Sequence, residues 1–278
     1  MTALPYTGAP PPGFRDSPSR VILARMADRE PTRRAILLGA SNLRAALPAV
    51  LHGLRRQGGG PLEAFAACGH GRSYGSTSRF LFVRRLPGIA GCGLWDALRT
   101  RPGLPGLALI TDVGNDLAYG FAPDRIASWV ETCLDRLATP STAMVMTPLP
   151  LSHLERLEPW QARLALSLLF PGRSAPWPAL LDRARGLDER LRGLARDFGA
   201  RLVEPGPDWY GLDPIHLRRS RRREAWSRIL GLGPDSAVPP ARLSLPLLGA
   251  KEVEILGFSL RRAQPALLLP DGTSLSLY

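Results

Sequence analysis

The chain has 278 residues, 45% of them hydrophobic and 22% charged, with a formal net charge of +12. Such a length and balance suit a soluble globular protein, one sizeable domain with extensions. No stretch approaches 18 uninterrupted apolar residues, so a membrane span is not expected. The first 15 residues are rich in Pro and Gly and lack a basic start followed by an apolar run; this argues against a secretory signal and makes the cytoplasm the expected location. The three cysteines, Cys68, Cys92 and Cys133, have no CxxC spacing and cannot all pair, so they read as buried free thiols rather than disulfides or a zinc site. The positive charge raises nucleic acid or an acidic membrane surface as partners. Every basic residue except Lys251 is arginine, however, and the chain is heavy in Ala, Gly, Pro, Arg and Leu. A GC-rich genome gives that composition without selection for phosphate binding, so nucleic acid is not the expected partner.

In chain order, residues 1–33 read as a loose lead-in, with many prolines and charges and little periodicity. Ala35 to Leu38 is a short apolar run that ends in Gly39-Ala40-Ser41. After it, Leu43, Ala46, Val50, Leu51 and Leu54 recur at helical spacing, with Pro48 expected near the start of the main helix. Leu62 to Cys68 reads as a second strand, then a Gly-rich loop and a helix beginning near Ser76. Leu107 to Asp112 is a third, followed by Val113-Gly114-Asn115-Asp116 and a helix opened by Pro123 and Asp124. Thr142 to Met146 and Ala200 to Val203 are the last two, separated by helical segments near 151–169 and 178–198. The long helical stretch between them is expected to cover the site. Five apolar strands alternating with helices imply an α/β fold with a parallel sheet covered on both faces. Residues 34–236 form this domain, and 237–278 read as a small β-rich appendage with an Asp271-Gly272 turn.

Three polar clusters fall where these strands end, the edge at which open α/β sheets gather function. Ser41 ends the first strand and opens a helix, whose N-terminus favours developing negative charge; the plainer reading is a helix N-cap. Asn115 follows the third strand, where its side chain can donate to an oxyanion; Asn-Asp turns are also common. Gly69-His70-Gly71-Arg72-Ser73-Tyr74-Gly75 follows the second strand and offers a backbone N–H. Beyond the last strand, Asp213 stands three residues before His216, a spacing that lets a carboxylate orient an imidazole so that it accepts a hydroxyl proton.

Taken together and in this order, these clusters resemble the SGNH (GDSL-type) hydrolase superfamily, whose four blocks contribute a Ser, a Gly, an Asn and a His. The likeness covers about residues 35–231. It rests on Ile36-Leu37-Leu38-Gly39-Ala40-Ser41-Asn42-Leu43, Val113-Gly114-Asn115-Asp116 and Asp213-Pro214-Ile215-His216-Leu217. The second block's glycine best matches Gly71, with Gly69 and Gly75 as alternatives. The family's Gly-Asp-Ser reads Gly-Ala-Ser here. The resemblance implies a three-layer α/β/α, flavodoxin-like fold with a five-stranded parallel sheet. It also implies hydrolysis of a small-molecule carboxylic, acetyl or thio ester through an acyl-enzyme. Ser41 would be the nucleophile, His216 its base and Asp213 the residue that holds His216. Ser41, Gly71 and Asn115 would form the oxyanion hole, with no metal or organic cofactor.

Two other readings compete. Gly71-Arg72-Ser73-Tyr74-Gly75 matches the G-x-S-x-G nucleophile elbow of α/β-hydrolases, which would make Ser73 the nucleophile. The run Arg218, Arg219, Arg221, Arg222 and Arg223 would suit a binding protein for nucleic acid or another anionic ligand; its plainer reading is a solvated helix face. Tyr74, Trp95 and Trp160 are candidates to line a pocket, but aromatics are more often core and they are assigned no role.

Overall fold

The computed structural model describes residues 30–80, 84–139, 142–169, 176–233, 252–255 and 258–278. Most of the lead-in, and the start of the C-terminal segment, lie outside the described residues. In chain order, β1 (Arg33–Leu38), α1 (Ser41–Gly58) and β2 (Leu62–Ala67) are followed by β3 (Ser78–Phe80), β4 (Arg84–Leu86), α2 (Leu94–Arg99), β5 (Gly106–Ile110), α3 (Asn115–Ala118), α4 (Pro123–Leu137) and β6 (Thr142–Met146). Then come α5 (Leu151–Leu154), α6 (Pro159–Leu169), α7 (Trp177–Asp197), β7 (Arg201–Leu202), α8 (Arg222–Leu230), β8 (Glu252–Ile255), β9 (Phe258–Arg261), β10 (Leu267–Leu268) and β11 (Ser274–Leu277).

Side chains on a strand point alternately to its two faces, and both faces of β1 are apolar. Ala35 and Leu37 pack with Leu43, Leu47 and Val50 of α1 and Trp226 and Ile229 of α8. Ile36 and Leu38 pack on the opposite side with Trp95 of α2, Ile126 and Val130 of α4, and Leu187 and Leu191 of α7. The result is three layers, helices on each face of a mostly parallel sheet. The fold class expected from the pattern is present, and Cys68, Cys92 and Cys133 are all buried and form no disulfide.

The main sheet has seven strands in the order β10-β11-β2-β1-β5-β6-β7, not five. The five expected strands are all there, and the C-terminal segment supplies the other two. β11 pairs parallel with β2, and β10 pairs antiparallel with β11. Leu275 and Leu277 are thereby buried. The same segment also divides, because β8 and β9 join β3 and β4 in a second, antiparallel sheet ordered β3-β4-β8-β9.

Two local expectations are corrected. The helix expected near Ser76 is absent, and Ser78–Phe80 is a strand paired with β4. The backbone N–H groups of Gly75 and Ser76 donate to Ser73 Oγ, and β4 in turn finds its partner in β8, far along the chain. A local pattern carries no sign of that pairing. The first helix begins at Ser41, so Pro48 sits inside it rather than near its start. Pro48 is buried there.

Candidate active site

β1, β2 and β5 run parallel, so their carboxyl ends bring Gly39, Cys68 and Thr111 to one edge. At the end of β1 the chain turns abruptly into α1. Gly39 is required at this turn, since a Cβ there would lie 2.7 Å from Thr111 Cγ2. Ser41 is the first helical residue and only 5% exposed. It is not the N-cap: Ala40 holds that place, and its side chain caps nothing. The cap comes from elsewhere. Asp112, just beyond β5, accepts from Ala40 N (2.9 Å) and Leu43 N (3.2 Å) through Oδ2. A carboxylate satisfies two orphan N–H groups at the positive end of the helix dipole, leaving the Ser41 hydroxyl free of that work.

The Asp213–His216 loop is closed on itself. Asp213 Oδ1 accepts from Ile215 N (3.0 Å) and His216 N (3.1 Å), while Oδ2 lies 2.7 Å from His216 Nδ1. With Nδ1 donating to the carboxylate, Nε2 is the acceptor. The Asp213 hydrogen bond raises the His216 pKa against the opposing effect of burial, and the charges of Asp213 and Asp112 add to it. Burial opposes ionisation of Asp213, yet the bonds from His216 and the Ile215 N–H outweigh it and hold the carboxyl below its usual range. The loop is fastened to α1 by the residue after Ser41. Asn42 Nδ2 donates to Ile215 O (2.8 Å) and Asn42 Oδ1 accepts from Leu217 N (2.9 Å), the two backbone groups on either side of His216.

Asn115 is buried at the start of α3, next to Gly114. It shares with Ser41 the lining of a cavity of about 100 Å³. Apolar side chains form most of its wall, among them Leu117, Leu149, Leu154, Trp177, Leu180 and Ala184. Four of these, Leu154 of α5 and Trp177, Leu180 and Ala184 of α7, come from the helical stretch before β7, which therefore lines this cavity. Pro214 and Ile215 from the histidine loop also line it; Gly71 and His216 do not.

Gly71 has a left-handed backbone, φ 62°, and its carbonyl accepts from Tyr119 Oη at 2.5 Å. A Cβ at this position would lie 2.6 Å from that hydroxyl, so only glycine fits. Tyr119 follows Asn115 by one helical turn and so ties the Gly71 loop to α3. Of the alternatives, Gly75 donates its N–H to Ser73 Oγ, while Gly69 accepts at its carbonyl from Arg72 N. Asp116 anchors the same loop from below, accepting from Tyr74 N at 2.7 Å. Burial pushes its carboxyl up to about 6, against the bonds from Ser73 and Tyr74.

The competing motifs are placed quite differently. Ser73 is 1% exposed, and its Oγ accepts from Gly75 N (3.2 Å) and Ser76 N (2.9 Å). Within the arginine run, Arg221 pairs with Asp208 and Glu224, and Arg222 donates to Leu217 O, so part of the run holds the fold. Tyr74 and Trp95 are core residues and Trp160 is 62% exposed. Trp177 and Tyr210 line the cavity instead. Among the described residues no cluster of His, Cys, Asp or Glu has a metal-holding arrangement, and no helix is long and apolar enough to cross a membrane.

No protein-family model matches the sequence, and no curated protein matches it by sequence. Solved structures do. The chain is similar to solved structures of two esterases and of a lipolytic protein. The aryl esterase of M. smegmatis is 19% identical, with 72% of this chain and 100% of that one covered at a TM-score of 0.47. A lipolytic protein of the G-D-S-L family from Veillonella parvula is 11% identical, covering 72% and 97% at 0.46. The esterase EstA from Pseudoalteromonas sp. is 12% identical, covering 72% and 96% at 0.45.

Proposed function

We propose that the protein hydrolyses small carboxylic esters, acetyl and thio esters included, through an acyl-enzyme at Ser41. The observation that carries this reading is the 2.7 Å Asp213–His216 pair, on a loop bonded through Asn42 to the helix that Ser41 opens. Ser41 Oγ attacks the ester carbonyl as His216 Nε2 takes its proton, and Asp213 stabilises the imidazolium that forms. The tetrahedral oxyanion takes hydrogen bonds from the Ser41 N–H, the Asn115 side-chain amide and the Gly71 N–H. His216 returns its proton to the departing alcohol or thiol. Water, deprotonated by the same imidazole, then releases the acid and restores Ser41. These steps use protein groups throughout. The apolar cavity beside Ser41 favours an uncharged, largely hydrocarbon group on the ester, since a charge there would lose its water without compensation.

Labelling with a fluorophosphonate, mapped by peptide mass spectrometry beside release of p-nitrophenol from p-nitrophenyl acetate, tests the proposal. The expected adduct is on Ser41; Ser41→Ala loses both adduct and turnover, and Ser73→Ala keeps both. An adduct on Ser73, or none on the folded protein, overturns the assignment.

A further inference from the structure

We propose that Asp112 is a positioning residue that fastens the Ser41 turn and the His216 loop to each other, with Asn42 as the link; this rests on the acyl-enzyme reading above. Its backbone is the first sign. Asp112 is the one non-glycine residue with positive φ, 60°, among the described residues. Asp and Asn tolerate this left-handed conformation better than other side chains, though it is still uncommon for them. The conformation stands at the carboxyl end of β5, at the edge where the candidate site lies, and such strain persists only where its surroundings fix it.

What fixes it is the carboxylate. Oδ2 receives the N–H groups of Ala40 and Leu43, and Oδ1 receives Asn42 Nδ2 at 2.9 Å. The three donors belong to the turn around Ser41, so the carboxylate sets where that turn stands relative to β5. Asn42 is 8% exposed, and both its amide hydrogens and its oxygen are engaged. One amide hydrogen goes to Asp112 and the other to Ile215 O, while its oxygen takes Leu217 N. A buried amide that donates twice to acceptors and accepts from an N–H admits one orientation, since a flip would set like groups against each other. The link thus spans 173 residues of sequence between Asn42 and Ile215 with two bonded side chains. Besides the Asp213 bond and charge, Asp112 also raises the His216 pKa, so its influence reaches the imidazole itself. Asp112 transfers no proton in the proposed reaction; it acts through Ser41 and His216.

Asp112→Gly and Asp112→Asn both accept the left-handed backbone, and so separate the carboxylate from the conformation. Three readouts are measured on each, and on Asn42→Ala. They are the rate of fluorophosphonate labelling at Ser41, kcat and KM for p-nitrophenyl acetate, and the low-field Nδ1 proton of His216, assigned with His216→Gln. A misplaced reacting group costs on the order of 10²-fold. We expect Asp112→Gly to lower kcat and labelling by about that factor with KM little changed, and to shift or broaden the His216 signal. Asp112→Asn, which keeps one accepting oxygen, should fall between Gly and wild type. Folded Asp112→Gly that labels within about 2-fold of wild type, with an unchanged His216 signal, overturns the proposal. If Asp112→Gly does not fold, Asp112→Asn and Asn42→Ala decide it by the same criteria. If wild-type Ser41 is not labelled at all, the acyl-enzyme reading fails, and the His216 signal alone decides the positioning role: no change in these variants overturns it.

Discussion

Ser41 and Ser73 stand in the same kind of place, just past a buried parallel strand in a glycine-containing turn, yet the structure treats them in opposite ways. At Ser41 the backbone N–H groups of Ala40 and Leu43 are satisfied by a carboxylate from just beyond another strand, and Ser41 lines a cavity. At Ser73 the hydroxyl itself serves the backbone, accepting two N–H groups while the residue is only 1% exposed. A serine oxygen that satisfies its own turn has its lone pairs engaged and no room for a substrate. On the proposed reading, nucleophile character at a strand end depends on what caps the turn. The motif around the serine does not decide it.

Several substitutions sharpen that contrast. The largest effect after loss of Ser41 itself is expected at Asp213. Asp213→Asn should lower kcat by roughly 10²–10⁴-fold, since the imidazole loses its tautomer and the charge that supports it. The base is the neutral imidazole, and Asp213 raises its pKa, so wild-type kcat/KM should rise with pH around a midpoint above the usual histidine value. In Asp213→Asn that midpoint moves down; a pH–rate profile with an unmoved acid limb would contradict the assignment. Asn115→Ala should cost about 10²–10³-fold in kcat with modest change in KM, the signature of a lost oxyanion donor. Equal loss in KM would make Asn115 a ground-state contact instead.

On the Ser73 side, the expected effects are on stability. Ser73→Ala leaves two part-buried N–H groups without their acceptor and should destabilise by about 1–3 kcal/mol in urea unfolding while esterase activity persists. Abolished activity in a folded Ser73→Ala protein would erase the distinction between the two serines. The smallest effect concerns Asp116, which anchors the same loop. Its carboxyl titrates near 6 in the fold, above its unfolded value, so the stability it contributes is full at low pH and is lost as pH rises through about 6. Asp116→Asn should flatten the thermal stability profile across that window; an unchanged slope would place the titration elsewhere.

Much of this was legible along the chain. Ala35 to Leu38, Leu107 to Asp112 and Thr142 to Met146 announced buried parallel strands because both faces of each must be apolar. Asp213 and His216 are close in sequence, so their pairing is a local event that spacing alone can propose. Asp112 was visible only as the end of a strand. Its left-handed backbone and its three bonds to the Ser41 turn depend on how β5 lies beside β1. Tyr119 and Trp177 gave no signal either, because their roles come from which loops they meet. The helix expected at Ser76 and the count of five strands failed for a shared reason: both depended on C-terminal strands pairing with residues some two hundred positions earlier.

The sequence by itself determined the layered α/β architecture and the candidates Ser41, Asn115, Asp213 and His216, because hydrophobic periodicity and short-range spacing are written locally. Only the tertiary structure decided that Ser73 is buried, that Gly75 has spent its N–H, that β10 and β11 extend the main sheet, and that Asp112 and Asn42 tie the two ends of the site together. Those outcomes turn on hydrogen-bond partners far apart in the chain, and a donor or acceptor carries no mark of its partner until the fold brings the two within about 3 Å.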